Sequence, residues 1–347
     1  MTRKIAIVLF NLGGPDGQAD VKPFLRNLFR DPAIIGAPGP IREILAWLIS
    51  SRREKEAQSN YAKMGGGSPL LAETKKQAQA LETRLNASSG EREFRTFIAM
   101  RYWTPLVEDA VKAVKAWGAD DIIHLPLYPH FSTTTTGSSM KAWAAAGGPK
   151  ARTICCYPEE NDFIAAHAKL VRESWEKAGK PENARLLFSA HGLPERVVKA
   201  GDPYQLQIEQ TAAAISEHLP EITDWSVCYQ SRVGPLKWIG PSTDDAIIEA
   251  ARDQKHIFLT PIAFVSEHIE TLVELDEEYA EIAEEHHAPG YTRIPALGVA
   301  EGFISSLAKL ALTALEGPVG LKPPNGARIC PADRSQCPCA LTGMTHD

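Results

Sequence analysis

No stretch of the 347-residue chain is apolar for long enough to span a bilayer. The opening "MTRKIAIVLFNLGGP" starts basic and turns apolar but lacks a small-residue cleavage site, so it predicts a first strand and not an export signal. No basic cluster is long enough for a nucleic-acid face, and the net charge is −6. Nucleotide loops are missing too. "NLGGP" (Asn11–Pro15) lacks the glycine spacing of a dinucleotide fingerprint, and "GGGSP" (Gly65–Pro69) has no strand before it and no Lys after it. Both predict tight turns or substrate loops, which sets aside nicotinamide- and ATP-dependent chemistry. Cysteine is scarce, with six residues. The expected location is the cytoplasm, where such thiols are free or ligate metal and do not form disulfides. The chain is 44% hydrophobic and 23% charged, enough for one large or two ordinary domains with real cores.

Short apolar or β-branched runs recur, each closed by a turn signal: "KIAIVLF", "FRTFIAM", "DDIIHLPLY", "ARLLFSA", "DWSVCYQ" and "KHIFLTPIAFV". Helical stretches such as "PLVEDAVKAVKAWGAD" and "PSTDDAIIEAARDQ" separate them, and this alternation predicts parallel sheets covered on both faces. The halves rhyme: "NLGGP" against "AHGLP", "MRYWTP" against "QSRVGP", "LPLYP" against "TPIAF". The expected fold is α/β, two similar Rossmann-like domains with parallel sheets around a central cleft. They would span residues 1–155 and 156–325, followed by a Cys-rich tail over 326–347. Ligands in such sheets bind at the carboxyl ends of strands. Those ends carry Asn11, Arg101, Tyr128, His191, Gln230 and residues 266–270.

One more absence is local. No Lys or Arg occurs between Lys255 and Arg293, yet "SEHIETLVELDEEYAE" (266–281) holds seven acidic residues in sixteen positions. At about 100° per residue Glu267, Glu270, Glu274, Glu277, Glu278 and Glu281 fall in one narrow arc. Ile269, Leu272, Val273, Leu275 and Tyr279 oppose them, with Asp276 at the centre of the apolar arc and His268 within it. Periodicity alone describes an amphipathic helix with a solvated face. Surface helices usually mix signs, however, because like charges four apart cost stability, and a one-signed carboxylate row attracts cations.

Taken together, "NLGGP", "GGGSP", "RYWTP", "LYPHFSTTTTGSS", "SAHGLP", "GDPY", "WIGP" and "PIAFVSEHIETLVELD" resemble the ferrochelatases, which insert Fe(II) into a porphyrin. The matches run in order from residue 11 to residue 276. The resemblance implies insertion of Fe(II) as substrate into protoporphyrin IX, giving protohaem and two protons, within a porphyrin cleft. Carried over by residue, it implies His191 and Glu270 as catalytic and metal-handling groups, with Glu267 and Glu274 continuing the acidic line and His268 beside it. Whether His191 is base or ligand stays open. Carboxylates hold Fe(II) without trapping it as thiolates would, and imidazole can take a pyrrole proton. Leu12 and Trp238 would pack on the porphyrin, Tyr102 would lie near it, and Lys63, Ser68 and Arg101 would meet its propionates. Rival classes are another tetrapyrrole chelatase and a non-catalytic haem or iron carrier.

The tail "ARICPADRSQCPCALTG" crowds Cys330, Cys337 and Cys339 into ten residues. Zinc suits thiolates, and an iron–sulfur cluster normally needs four of them. The internal candidates are Cys155, Cys156 and Cys228, the last inside a predicted strand. Several ferrochelatases carry a [2Fe–2S] cluster on a Cys-x6-Cys-x-Cys tail, the spacing found here. In the animal enzymes the fourth ligand lies in the hydroxyl-rich loop, where this chain has Thr133. The resemblance therefore leaves Cys155 or Cys156, and Cys156 is the choice, with a structural or sensing role expected. Residues 21–55 are rich in apolar side chains and end in Arg52, Arg53 and Lys55, which admits peripheral contact with a membrane. An oligomer is compatible with the sequence.

Overall fold

A computed structural model describes residues 2–87, 89–231, 236–323 and 326–341. Arg232 and Pro235 of the "QSRVGP" turn lie outside the described residues. In chain order the strands are β1 (Arg3–Asn11), β2 (Arg92–Met100), β3 (Asp121–Pro126), β4 (Arg152–Ile154), β5 (Ala184–His191), β6 (Trp225–Gln230), β7 (His256–Pro261), β8 (Gly290–Arg293) and β9 (Gly320–Lys322). They form two sheets, ordered β2-β1-β3-β4-β9 and β6-β5-β7-β8, and every pairing is parallel. The six apolar runs of the sequence are β1, β2, β3, β5, β6 and β7. β4, β8 and β9 are three or four residues long, too short to show a pattern.

One compact unit comprises Met1–Cys155 with Leu307–Gly326, the other Cys156–Ser306 with Ala327–Asp347. Residues 307–325, which the sequence groups with the second half, thus join the first. The reason is β9, which pairs with β4 through Arg152 and Gly320. The Cys-rich tail packs with the second unit.

The inner strands of each sheet are buried on both faces, as helix-covered parallel strands must be. Ile5 through Phe10 of β1 are fully buried, as are Leu186–Phe188 of β5 and Ile257–Leu259 of β7. The covering helices show the matching stripes. Helix Val107–Trp117 buries Val107, Ala110, Val111 and Val114 and stops at Gly118, whose φ of 71° suits a left-handed cap. Helix Thr243–Arg252 buries Ala246, Ile247, Ala250 and Ala251, and the Ser242 hydroxyl accepts from the Asp245 amide at its start.

Register then fixes what emerges at the strand ends. Asn11 lies beside Met100, and His191 beside Gln230. In the first unit three motifs meet there. Arg101 N–H donates to the Asn11 carbonyl and Tyr102 N–H to that of Leu12. Ser68 N–H donates to the Pro15 carbonyl. A methyl on Gly67 would sit 2.3 Å from the Asp16 carbonyl oxygen, and one on Gly14 would sit 2.5 Å from Ser68 Oγ. Those glycines let "NLGGP" and "GGGSP" pack closely together.

Candidate active site

In the first unit the group around Arg101 is organised by Asp31, a residue the sequence reading passed over. Its buried carboxylate receives Arg101 Nη2 at 2.8 Å, Tyr102 Oη at 2.8 Å and the Ser138 hydroxyl. Arg101 Nε donates to Ser138 Oγ at 2.7 Å, so the guanidinium is already neutralised and held on two sides. Burial, followed by the Asp31 charge, pushes the Tyr102 phenol well up. Ser138 belongs to helix Thr136–Ala145, whose first turn grows out of the hydroxyl-rich loop. There Ser132 Oγ takes the Thr134 amide at 3.1 Å, and the loop passes directly into the helix. Leu12 and Ser68 are half-buried and Lys63 is exposed at the end of helix Gly39–Lys63.

In the second unit His191 closes β5. Its Nδ1 lies 2.6 Å from the Gly192 carbonyl. A carbonyl only accepts, so Nδ1 carries the hydrogen and the Nε2 lone pair is the ring's acceptor. Burial lowers the imidazole's pKa, against the pull of the Gly192 carbonyl and the Glu274 charge, and favours the neutral ring. Trp238 lies 6.4 Å away between ring centroids. A methyl on Gly192 would meet that indole at 3.2 Å.

The acidic segment is not the straight α-helix that its period predicts. Residues Glu270–Glu278 form a π-helix, continued by α-helix Tyr279–Glu285. With i→i+5 closure, residues four and five apart stack, so Glu270 and Glu274 share a face while Thr271, Val273 and Leu275 are buried. The wider turn also carries Asp276 out of the apolar arc. It is exposed and paired with Arg293 Nη2 at 2.7 Å. Arg293 Nη1 reaches Glu267 Oε1 at 2.6 Å, and the Ala296 amide donates to the same oxygen at 3.0 Å. The segment's charge is therefore partly compensated, by a residue far along the chain. Burial pushes Glu267 up, but the Arg293 charge and the hydrogen bonds from Thr271, Ala296 and Arg293 prevail and hold it below the usual range. Glu267 Oε2 is buried with no hydrogen-bond partner. His268 is buried against Phe264, its Nδ1 3.1 Å from the Ser266 carbonyl, and burial lowers it to about 4.

Glu270 and Glu274 face a single amide. Gln230 Nε2 lies 3.4 Å from Glu270 Oε2 and 3.4 Å from Glu274 Oε2. Ser189 Oγ donates to Gln230 Oε1 at 2.6 Å, which turns the amide's N–H side toward the carboxyls. Ser231 Oγ donates to Glu274 Oε2 at 2.8 Å from a residue at φ 61°, a left-handed conformation that costs a non-glycine residue free energy and clusters at functional sites. Burial pushes Glu270 up to about 7. Burial and then the Glu270 charge push Glu274 up to about 8. A neutral imidazole and two carboxyls that titrate near neutrality form a set for exchanging protons with a cation. The family model for ferrochelatase matches residues 4–315 of this chain.

The chain belongs to the ferrochelatase family. It is 60% identical over 345 residues to the ferrochelatase of Caulobacter vibrioides strain NA1000 / CB15N, covering 98% of both chains. It is 58% identical over 342 residues to that of Phenylobacterium zucineum, covering 98% of this chain and 99% of the other. Among solved structures, the sirohydrochlorin chelatase SirB of Bacillus subtilis subspecies spizizenii in complex with cobalt shares the fold. Its TM-score is 0.51 at 11% identity, covering 91% of this chain and 97% of that one.

All six cysteines are buried, and none is in a disulfide. Cys228 in β6 faces the Phe188 carbonyl, and burial pushes it up to about 12, so it is a core thiol. Cys156 and Cys330 both lie on Gln207, whose Nε2 is 3.4 Å from one Sγ and 3.3 Å from the other. Hydrogen bonding with Cys330 and Cys339 holds Cys337 down to about 2. Cys155 belongs to the first unit and gives its amide to the Lys322 carbonyl. Among the described residues no three His, Cys, Asp or Glu side chains are spaced to hold a single metal ion.

Gln230 was visible in the sequence as a strand-end residue, but Ser231 and Asp31 were not singled out. The signal for Asp31 is an acid placed between an apolar helix and a proline. The two raised carboxyls have a measurable consequence. A carboxyl held above its ordinary value near 4.5 binds its proton more tightly folded than unfolded. Stability is then complete below about pH 4.5 and declines as pH rises through 7 to 8. Glu274→Gln removes Glu274's share of that decline. Metal-free thermal melts are expected to show equal Tm at pH 5 and a variant higher by on the order of a few degrees at pH 8.5. A gap that stays constant with pH would contradict the assignment.

Proposed function

We propose that this chain inserts Fe(II) into protoporphyrin IX, releasing two protons and giving protohaem. The observation that carries the mechanism is the neutral His191 set with the Glu270–Glu274 pair. The reaction brings in a dication and expels two protons. His191 presents Nε2 as the acceptor for a pyrrole proton, because Nδ1 is committed to Gly192. The carboxyl pair is largely protonated near neutrality until a cation arrives, and a nearby cation favours its ionised form. Metal entry and proton exit are thereby linked at one place. Glu267 offers its unpaired Oε2 to the same line. These are hard oxygen donors, suited to passing Fe(II) onward instead of trapping it. Because the iron is cargo, a closed cage is not required.

The proposed porphyrin contacts are Leu12, Lys63, Ser68, Arg101, Tyr102 and Trp238. Arg101 comes already paired with Asp31 and Ser138, so it offers directed hydrogen bonds more than net charge. The decisive experiment is anaerobic Fe(II) insertion followed by the Soret band. His191→Ala and Glu270→Gln are each expected to reduce turnover by at least about 100-fold, the scale of a lost proton-transfer group, with unchanged circular dichroism. Near-normal turnover in either variant at saturating iron would sink the mechanism.

The same chain is proposed to hold a [2Fe–2S] cluster on Cys156, Cys330, Cys337 and Cys339. The donor chemistry fits: four buried thiols, three of them linked by Cys337's hydrogen bonds and Gln207 bridging Cys156 to Cys330. A two-iron cluster spreads four thiolates over two metals. When bound, such a cluster crosslinks its four cysteines and can take up an electron. Metallation needs no electron, so its role here is structural or sensing. Anaerobically purified protein should be reddish-brown with stoichiometric acid-labile sulfide; Cys156→Ser should lose the colour and Cys155→Ser keep it. The opposite pattern would move the ligand by one residue.

A bilayer surface is the proposed site of peripheral contact, in the cytoplasm at the inner face of the membrane. Helix Gly39–Lys63 exposes Ile41 (53%), Ile44 (66%) and Trp47 (53%) on one side, with Arg42, Arg52, Arg53 and Lys55 along it. Apolar side chains flanked by basic ones suit an anionic interface, whereas Phe24, Leu25 and Phe29 are spent on the core. No helix among the described residues is long and apolar enough to cross a membrane. Co-sedimentation with phosphatidylserine vesicles at low salt should fall at least severalfold in Ile44→Ser/Trp47→Ser, and equal binding would remove this face from the account.

A further inference from the structure

Gln207 sits in the first turn of helix Tyr204–Glu217 and is fully buried. Its Nε2 points at two sulfurs from distant parts of the chain, Cys156 Sγ at 3.4 Å and Cys330 Sγ at 3.3 Å. An amide nitrogen has two hydrogens, so it can serve both at once. A neutral thiol is a weak acceptor, and a hydrogen bond becomes strong only when the acceptor carries charge. An amide buried for these two partners therefore matches sulfurs that are thiolates. Two such sulfurs side by side in a buried place are stable only when a metal shares their charge.

The tail that brings Cys330 here is fastened to the turn that leads into this helix. Gln336 N–H donates to the Gly201 carbonyl at 3.1 Å, and Ser335 Oγ donates to that of Ala200 at 3.4 Å. Gly201 has φ 97°, and a methyl there would sit 2.5 Å from Ser335 Oγ. Asp202 Oδ1 then accepts from the Tyr204 amide at 3.0 Å to start the helix. Tyr204 is buried, and its phenol is kept protonated by burial, then by the charges of Tyr229, Glu270 and Asp202.

We propose that Gln207 is a positioning residue of the cluster, donating to two of its thiolate ligands so that the reduced, more negative form is stabilised and its reduction potential raised. Hydrogen bonds to cluster sulfurs act in that direction. This inference rests on the cluster reading given above. The plain alternative is a core glutamine that only fills space.

The test is a redox titration of anaerobically purified full-length protein, read by visible absorption and by electron paramagnetic resonance, with iron and sulfide assayed in parallel. Gln207→Leu is expected to keep the wild-type iron and sulfide content. Its midpoint should move to more negative potential by at least a tenfold change in the reduced-to-oxidised ratio, about 59 mV for a one-electron couple. Gln207→Glu keeps the shape but donates only while protonated. Its midpoint should therefore fall as pH rises through the carboxyl's titration, while the wild type changes less. Intact clusters with wild-type midpoints and pH profiles in both variants would overturn the proposal. Should Gln207→Leu fail to hold a cluster, Gln207→Glu decides: colour retained at low pH and lost at high pH supports the donor role, and colour lost at every pH overturns it. A wild-type protein without iron or sulfide would overturn the cluster reading itself, a result distinct from a coloured wild type with unshifted variants.

Discussion

Two half-buried carboxyls that hold their protons to near neutrality set the terms of the second unit. Glu270 and Glu274 are kept close by one amide, and Ser189 fixes which way that amide faces. Like charges brought together away from water are costly. The fold meets that cost by holding protons in place of a cation, with burial as the main cause. The left-handed Ser231, the widened π turn and the neutral tautomer of His191 all make sense as parts of the same arrangement. Each keeps a donor or an acceptor near the pair without adding a permanent positive charge. Arg293 of β8, which does reach the segment, is spent on Glu267 and Asp276 instead.

The first unit solves a different problem, that of presenting an arginine without leaving it loose. Asp31 gathers Arg101, Tyr102 and Ser138 on one carboxylate. A buried ion pair of this kind contributes little net stability but gives a unique geometry when every partner is satisfied. The short loops packed on glycine do the same for the backbone beside it. Both units therefore place hydrogen-bonded polar groups at the carboxyl ends of parallel strands.

Much of this was legible in the chain. The long strands could be read because a strand buried on both faces is an unbroken apolar run, and "KIAIVLF" is one. The placing of Asn11, His191 and Gln230 at strand ends followed from those runs. What escaped has physical reasons. β4, β8 and β9 are edge or near-edge strands too short for any period. The π turn escaped because an α period was imposed on the acidic segment, and that period sends Asp276 inward although the protein turns it out to Arg293. Asp31 escaped because its meaning lies in three partners brought to it by folding, none of them adjacent in sequence. Residues 307–325 were assigned to the wrong half because a three-residue strand decides their company.

That last feature bears on how the protein is made. β1, β2, β3 and β4 are all synthesised within the first 155 residues, but their sheet ends in β9, more than 160 residues later. Domains tend to fold from the N-terminus as the chain emerges from the ribosome. During that interval β4 offers unpaired backbone groups along its outer side, the kind of edge that recruits stray strands. β4 is only three residues long, and its arginine carries charge at the rim. A brief, charged margin of this sort is poor adhesive, so the half-built sheet can wait for its last strand.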